Sequence, residues 1–161
     1  MGVLSIVSGR ILMNGTISES TRQFIQSLDN DTAYPWIRSN MFSIGSTEES
    51  PYFYESVLGF AATYKGVEDS WEEFIQKFEH ILANIEFYNA KIQLETEYYG
   101  TFHFFWQAKT GSIKFESKEH LFEAEKWFFG YGYRNQFGHL VETLEERHIF
   151  PFFQYYPDRN D

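Results

Sequence analysis

Between Ala90 and Ala108 the chain alternates apolar and polar residues in two successive runs joined by one glycine-bearing turn. Few patterns restrict a fold more. Successive side chains of a strand point to opposite faces, so a period of two marks a strand with one buried face and one wetted face. Ala90, Ile92, Leu94 and Thr96 point one way, and Lys91, Gln93, Glu95 and Glu97 the other. Beyond Tyr98-Tyr99-Gly100, the residues Phe102, Phe104, Trp106 and Ala108 alternate with Thr101, His103, Phe105 and Gln107. A three-residue turn ending in glycine supplies the left-handed position of a bulge turn. It sets Thr96 against Phe102, Leu94 against Phe104 and Glu95 against His103. A two-residue turn would oppose Glu97 to Phe102 and mix the faces. A second turn at Thr110-Gly111 then pairs Ala108 with Ile113 and Trp106 with Phe115. The expectation is a three-stranded antiparallel meander over about 90–116.

Upstream, Ser70 precedes a stripe of Trp71, Phe74, Ile75, Phe78, Ile81, Leu82 and Ile85 at helical spacing. Such a stripe is the core-facing side of an amphipathic helix. Glu73 completes a Ser-x-x-Glu capping box. Val3 to Met13 and Tyr52 to Tyr64 read as strands, the first ended by Asn14-Gly15 and the second by Lys65-Gly66. Ser20, with Gln23 as its box partner, is expected to cap a short helix facing inward through Phe24, Ile25 and Leu28. Asp29 to Pro51 reads as a long loop with one short strand around Met41 to Ile44. A third helix is expected from Ser117 to near Phe129 and a fourth from about Gln136 to Arg147. An aromatic edge strand then runs from Ile149 to Tyr156, interrupted by Pro151.

A shift of 50 residues superposes Gly9 on Gly59, Ser20 on Ser70, and Gln23-Phe24-Ile25-Gln26 on Glu73-Phe74-Ile75-Gln76. The residues 9–28 and 59–78 thus read as two strand–helix units, related by ancestry or converged on one capped amphipathic pattern. Their strands are expected in one sheet with the helices mainly on one face. The 161 residues fit a single domain, 1–161, of the α+β class with a mixed or antiparallel sheet.

Twenty per cent of the residues are aromatic, ample material for one core. Cysteine is absent, which excludes thiol catalysis and thiolate metal sites. The apolar start, Met1 to Met13, carries Arg10 and lacks a basic leader, so it reads as a strand and not as a signal peptide. No stretch approaches the ~18 apolar residues of a membrane span. The chain is therefore expected to be cytoplasmic. Its formal charge is −10, from 23 acidic and 13 basic residues. That field opposes direct nucleic-acid binding and anionic membranes, and attracts basic proteins.

The five histidines, His80, His103, His120, His139 and His148, show no metal-ligand spacing, and no metal or cofactor is expected. Gly130-x-Gly132 lacks the third glycine of a dinucleotide loop, and no nucleophile elbow is present. What remains is the outer meander face, with Glu95, Glu97, His103, Phe105, Gln107 and Glu116 as the candidate partner-binding residues. Phe105 is an aromatic among polar residues. It is either an apolar anchor ringed by charge, as in protein-binding patches, or it is covered by the third helix or by the Asp29–Pro51 loop. His103 opposite Glu95 reads as a cross-strand pair or as a general acid/base pair.

Leu58-Gly59-Phe60 in a strand, Asp69-Ser70-Trp71-Glu72-Glu73-Phe74-Ile75, the meander, and the closing aromatic strand with Asp158-Arg159-Asn160-Asp161 together resemble the immunity proteins of bacterial polymorphic toxin systems. The resemblance covers about Tyr52 to Asp161. Some of those families place tryptophan after the strand glycine, where Phe60 stands here. The resemblance implies a stoichiometric inhibitor that binds and blocks one toxin, and it assigns no functional residue. The expected function is a non-enzymatic acidic inhibitor of a basic protein, such as a toxin nuclease. The alternatives are a phage-type anti-defence protein that mimics DNA, a small enzyme using the His103/Glu95 pair, and a structural domain of a larger assembly.

Overall fold

Seven antiparallel strands and two helices carry the fold in a computed structural model, which describes residues 2–44, 54–109, 122–132 and Tyr155. The strands are β1 (Leu4–Asn14), β2 (Phe42–Ile44), β3 (Glu55–Lys65), β4 (Asn89–Thr96), β5 (Gly100–Ala108), β6 (Phe122–Glu123) and β7 (Trp127–Gly132). Their order across the sheet is β2-β3-β1-β4-β5-β7-β6. The helices are α1 (Glu19–Ser27) and α2 (Trp71–Ala83). The class is α+β, as the patterning predicts.

Period-two alternation sets the core. Val7, Ile11 and Met13 of β1, Leu58, Phe60 and Tyr64 of β3, Ala90, Ile92 and Leu94 of β4, and Phe102, Phe104 and Trp106 of β5 are all buried on one face. α2 lies against that face through its apolar stripe. Phe78 meets Phe60 at 5.4 Å and Trp106 at 4.9 Å, and Trp71 meets Phe104 at 5.1 Å. Each fully buried ring or aliphatic side chain contributes roughly 1.5–3 kcal/mol of transfer free energy. α1 sits beside α2, with the Phe24 ring 5.7 Å from His80.

α1 starts earlier than the sequence suggests, while α2 starts after Ser70 as expected but without its capping hydrogen bond. Ser18 caps α1, in an extended conformation, and its Oγ accepts the Thr21 N–H at 3.2 Å. Ser20 lies inside the helix. The Ser70 box is not formed, because Val67–Ser70 is a 3-10 turn leading into α2. Ser70 has φ −121° and ψ 29°, so it lacks the extended geometry that aims a cap hydroxyl at the first free N–H groups. The turn instead starts at Gly66, whose φ of 60° suits glycine.

The meander has a different register and a different third strand. Leu94 faces Phe102, Gln93 faces His103, and Thr96 faces Gly100. Thr96 explains the shift. Its Oγ1 accepts the Tyr99 N–H at 2.9 Å and donates to the Gly100 carbonyl at 2.8 Å, closing the loop at Glu97-Tyr98-Tyr99. The displacement is an even number of residues, so the faces still match. Beside β5 stands β7, with Ala108 opposite Trp127 and Trp106 opposite Phe129. The expected partners Ile113 and Phe115 lie outside the described residues. The third helix was expected to reach Phe129, but Phe122–Glu123 and Trp127–Gly132 are strands. An aromatic run with glycines favours a pleated ladder over a helix. The fourth helix and the closing strand fall outside the described residues, apart from Tyr155.

The Asp29–Pro51 segment holds the expected short strand, β2, and short 3-10 turns at Leu28–Asn30 and Ser39–Met41. Among the described residues no helix is long and apolar enough to cross a membrane.

Candidate functional site

The face of the sheet turned away from α2 carries the polar half of each alternation. β1 lies between β3 and β4, which brings Arg10 directly opposite Lys91. Lys91 in turn faces Phe105, and Phe105 faces Gly130. The next row is Leu12, Asn89, Gln107 and Phe128, and the row on the other side is Ser8, Gln93, His103 and Gly132.

The candidate residues divide into two groups on this face. Phe105 is completely buried and Gln107 is 2 % exposed, so Phe105 is covered and is not an exposed anchor. The Gln107 amide donates to the carbonyls of Tyr88 and Ala108, both at 3.1 Å. Its Oε1 is buried without a hydrogen-bond partner among the described residues. Glu95 and Glu97 lie toward the other end. Glu95 is half-buried opposite Thr101. Glu97 is exposed in the β4–β5 loop, where its Oε2 accepts the Leu4 N–H at 3.2 Å. Glu116 lies outside the described residues.

His103 does not face Glu95. It is half-buried opposite Gln93, one step diagonal from the carboxylate. Burial lowers its pKa from the ordinary 6.5, and the Lys91 charge lowers it further. An imidazole poised by a carboxylate would shift upward instead. His103 and Glu95 are diagonal neighbours on this face and not a directly opposed cross-strand pair.

A basic strip that the sequence reading did not anticipate occupies the middle of the face. Arg10 donates through Nη1 to Asn89 Oδ1, and burial pulls its pKa below the usual value. Lys91 is also pulled down, by burial first and then by the Arg10 charge. Its Nζ lies 5.8 Å from the centre of the Phe105 ring. The one available signal was a lone arginine inside an apolar strand. Its neighbour across the ladder depended on a strand order that local patterning does not encode.

Charge is sorted by depth across the described residues. Nine of the fourteen described acidic side chains are exposed, against three of the eight basic ones. Some of the cations are also occupied. Lys77 pairs with Asp31 at 3.0 Å, and Lys109 with Glu123 at 2.8 Å. Among the described residues, solvent therefore meets a surface more acidic than their composition alone states. Among the described residues no group of three or more His, Asp or Glu side chains is arranged to hold a metal ion.

No protein-family model, curated protein or solved structure matches the chain.

Proposed function

We propose that this chain is a non-enzymatic binding protein that neutralises a basic protein partner, acting in the cytoplasm as a stoichiometric inhibitor. The observation that carries this reading is the sorting of charge by depth, with most described carboxylates exposed while Arg10, Arg22, Arg38, Lys77 and Lys91 are half-buried. An acidic exterior steers a basic partner into encounter and speeds association at low ionic strength. The resemblance to immunity proteins supplies a class of partner, a toxin domain such as a nuclease. Glu95 and Glu97, on the accessible end of the outer face, are the carboxylates assigned to that contact.

The test is capture from the native host at low salt with the chain as bait. Recovery of one basic protein, released by raised salt in equimolar complex, supports the reading. Recovery of no basic protein overturns it. If the partner is a nuclease, titrating its activity with the chain should give a sharp end point at one-to-one stoichiometry. Displacement of the chain by duplex DNA from a DNA-binding enzyme would favour the DNA-mimic alternative.

A further inference from the structure

Among the described residues the far end of β3 is an open strand edge. β2 pairs with β3 only at Leu58–Phe60, so from Ala61 to Lys65 the strand has β1 on one side and no described strand on the other. The Gly66 N–H donates to the Val3 carbonyl at 2.7 Å. Alternation along an antiparallel ladder then turns the backbone groups of Tyr64 and Ala62 toward β1 and those of Thr63 and Lys65 outward. The Tyr34 hydroxyl donates to the Lys65 carbonyl at 2.9 Å from that outer side. Thr63 is exposed, and no described hydrogen bond reaches its outward N–H or C=O.

Beside this edge a groove of about 850 Å³ runs between β3 and the segment from Tyr34 to Met41. Leu4, Tyr34 and Trp36 supply exposed apolar surface there. The two rings stand edge-to-face at 5.0 Å. Trp36 Nε1 donates to the Thr32 carbonyl at 3.0 Å, and the Tyr64 hydroxyl donates to the Trp36 carbonyl. The aromatic wall is thus fixed before anything binds, which reduces the ordering cost of binding.

The charged residues that line the groove are basic, although Glu68 and Asp69 lie near enough to raise the Tyr34 pKa and Glu97 holds the Leu4 N–H. The charged lining residues are Arg38 and Lys65, and none is acidic, in a chain of formal charge −10. Asp29 and Asp31 feel the Arg38 charge, but both are already engaged. Asp29 accepts the Ser39 N–H at 2.8 Å and its hydroxyl at 2.6 Å. Asp31 accepts the Ala33 N–H at 2.9 Å and pairs with Lys77.

We propose that this groove binds an extended peptide segment, added as a strand on the Thr63 edge, with a bulky apolar side chain against Trp36 and carboxylates at Arg38 and Lys65. Strand addition draws affinity from main-chain hydrogen bonds and specificity from the side chains of alternate residues. Here the outward N–H and C=O of Thr63 offer the first, and the aromatic wall with two cations offers the second. The surface selects for charge opposite to that of the basic partner, so its test stands apart from the search for that partner.

The probe is a fluorescein-labelled, amidated pentapeptide, Glu-Val-Phe-Val-Glu, with Lys-Val-Phe-Val-Lys as its charge-reversed control, followed by anisotropy at low salt. The acidic peptide should saturate with a dissociation constant under about 1 mM. The basic one should bind about tenfold more weakly. Thr63→Pro removes the outward N–H without touching the β1 ladder, as proline is tolerated on an edge, and should weaken binding about tenfold. Arg38→Glu should do the same, and Trp36→Ala replaces Thr63→Pro if that variant does not fold. Lys109→Ala, on β5's side of the sheet, should bind as the parent does. The proposal is overturned if neither peptide saturates, if both bind equally, or if the groove variants bind as the parent does. It is also overturned if the chain alone forms a dimer that Thr63→Pro abolishes, because a second copy then owns the edge.

Discussion

The Phe60 ring lies over Gly9 in the centre of the sheet, so close that a Cβ on Gly9 would meet Phe60 Cζ at 2.7 Å and also strike the Lys91 carbonyl oxygen. The aromatic side chain fills the space a side chain would otherwise occupy across the β1–β3 ladder. Gly59, the residue that the 50-residue shift equates with Gly9, has no such constraint. A Cβ there meets nothing closer than Ser43 Oγ at 3.7 Å.

Gly9→Ala and Gly59→Ala should therefore diverge. Gly9→Ala must displace the β4 backbone or the Phe60 ring, and should cost about 3 kcal/mol, the upper range of overpacking. Gly59→Ala makes ordinary contacts and should lie within about 0.5 kcal/mol of the parent. Urea unfolding with unchanged m-values measures both. Equal destabilisation would show that the two glycines serve one role.

The sheet's core face was legible in the sequence, and the sheet's order was not. Leu94, Phe102, Phe104 and Trp106 announce their side by parity, and parity survives a register error of an even number of residues. The position of β1 between β3 and β4 depends on contacts between residues some eighty positions apart, which no local pattern records. The same limit hid the Arg10–Lys91 strip. The loop register was decided by a single hydroxyl, Thr96 Oγ1, which the glycine rule for turns ignores. A helix running from Ser117 to near Phe129 is what the sequence suggests, but Trp127–Gly132 is a strand whose residues pair in a ladder with β5.

Tyr155 is tied to the core by a chain of hydrogen bonds. Its hydroxyl donates to Glu79 Oε2 at 2.7 Å and accepts from Trp127 Nε1 at 3.0 Å, while Trp106 Nε1 donates to the same carboxylate oxygen at 2.8 Å. Tyr155→Phe leaves the Trp127 N–H buried without its acceptor. That loss should cost about 1–3 kcal/mol. Glu79→Gln should cost less than Glu79→Ala, because an amide oxygen still accepts from Trp106. Thermal unfolding of the three variants checks the order, and tryptophan fluorescence reports the Trp127 environment.

His103 predicts a pH dependence with a definite sign. Its folded pKa lies below the ordinary 6.5, through burial and then Lys91. Below 6.5 the unfolded chain binds the proton that the folded chain resists, so stability falls as the pH drops toward the folded pKa and then levels off. Above 6.5 the imidazole is neutral in both states and contributes no slope. Lys91→Met should raise the His103 midpoint in an NMR titration. His103→Gln should flatten the slope of stability below 6.5. A midpoint above 6.5 in the parent would contradict the arrangement of charges on this face.

Glu95 and Glu97 should control association with the basic partner through rate more than through lifetime. Glu97 is exposed and Glu95 half-buried, and neither is fully desolvated in the free chain. Charges of that kind act at a distance on encounter and are screened beyond about 10 Å at 0.1 M salt. The double variant Glu95→Lys, Glu97→Lys should slow association about tenfold at low salt, with a much smaller change in dissociation. The difference from the parent should shrink as salt is raised to about 0.5 M, where the Debye length is only a few ångströms. Since Glu97 also accepts the Leu4 N–H, Glu97→Gln separates the two roles by keeping the acceptor while removing the charge. Stopped-flow measurement across a salt series decides the matter. An unchanged association rate in the double variant would remove these two carboxylates from the contact.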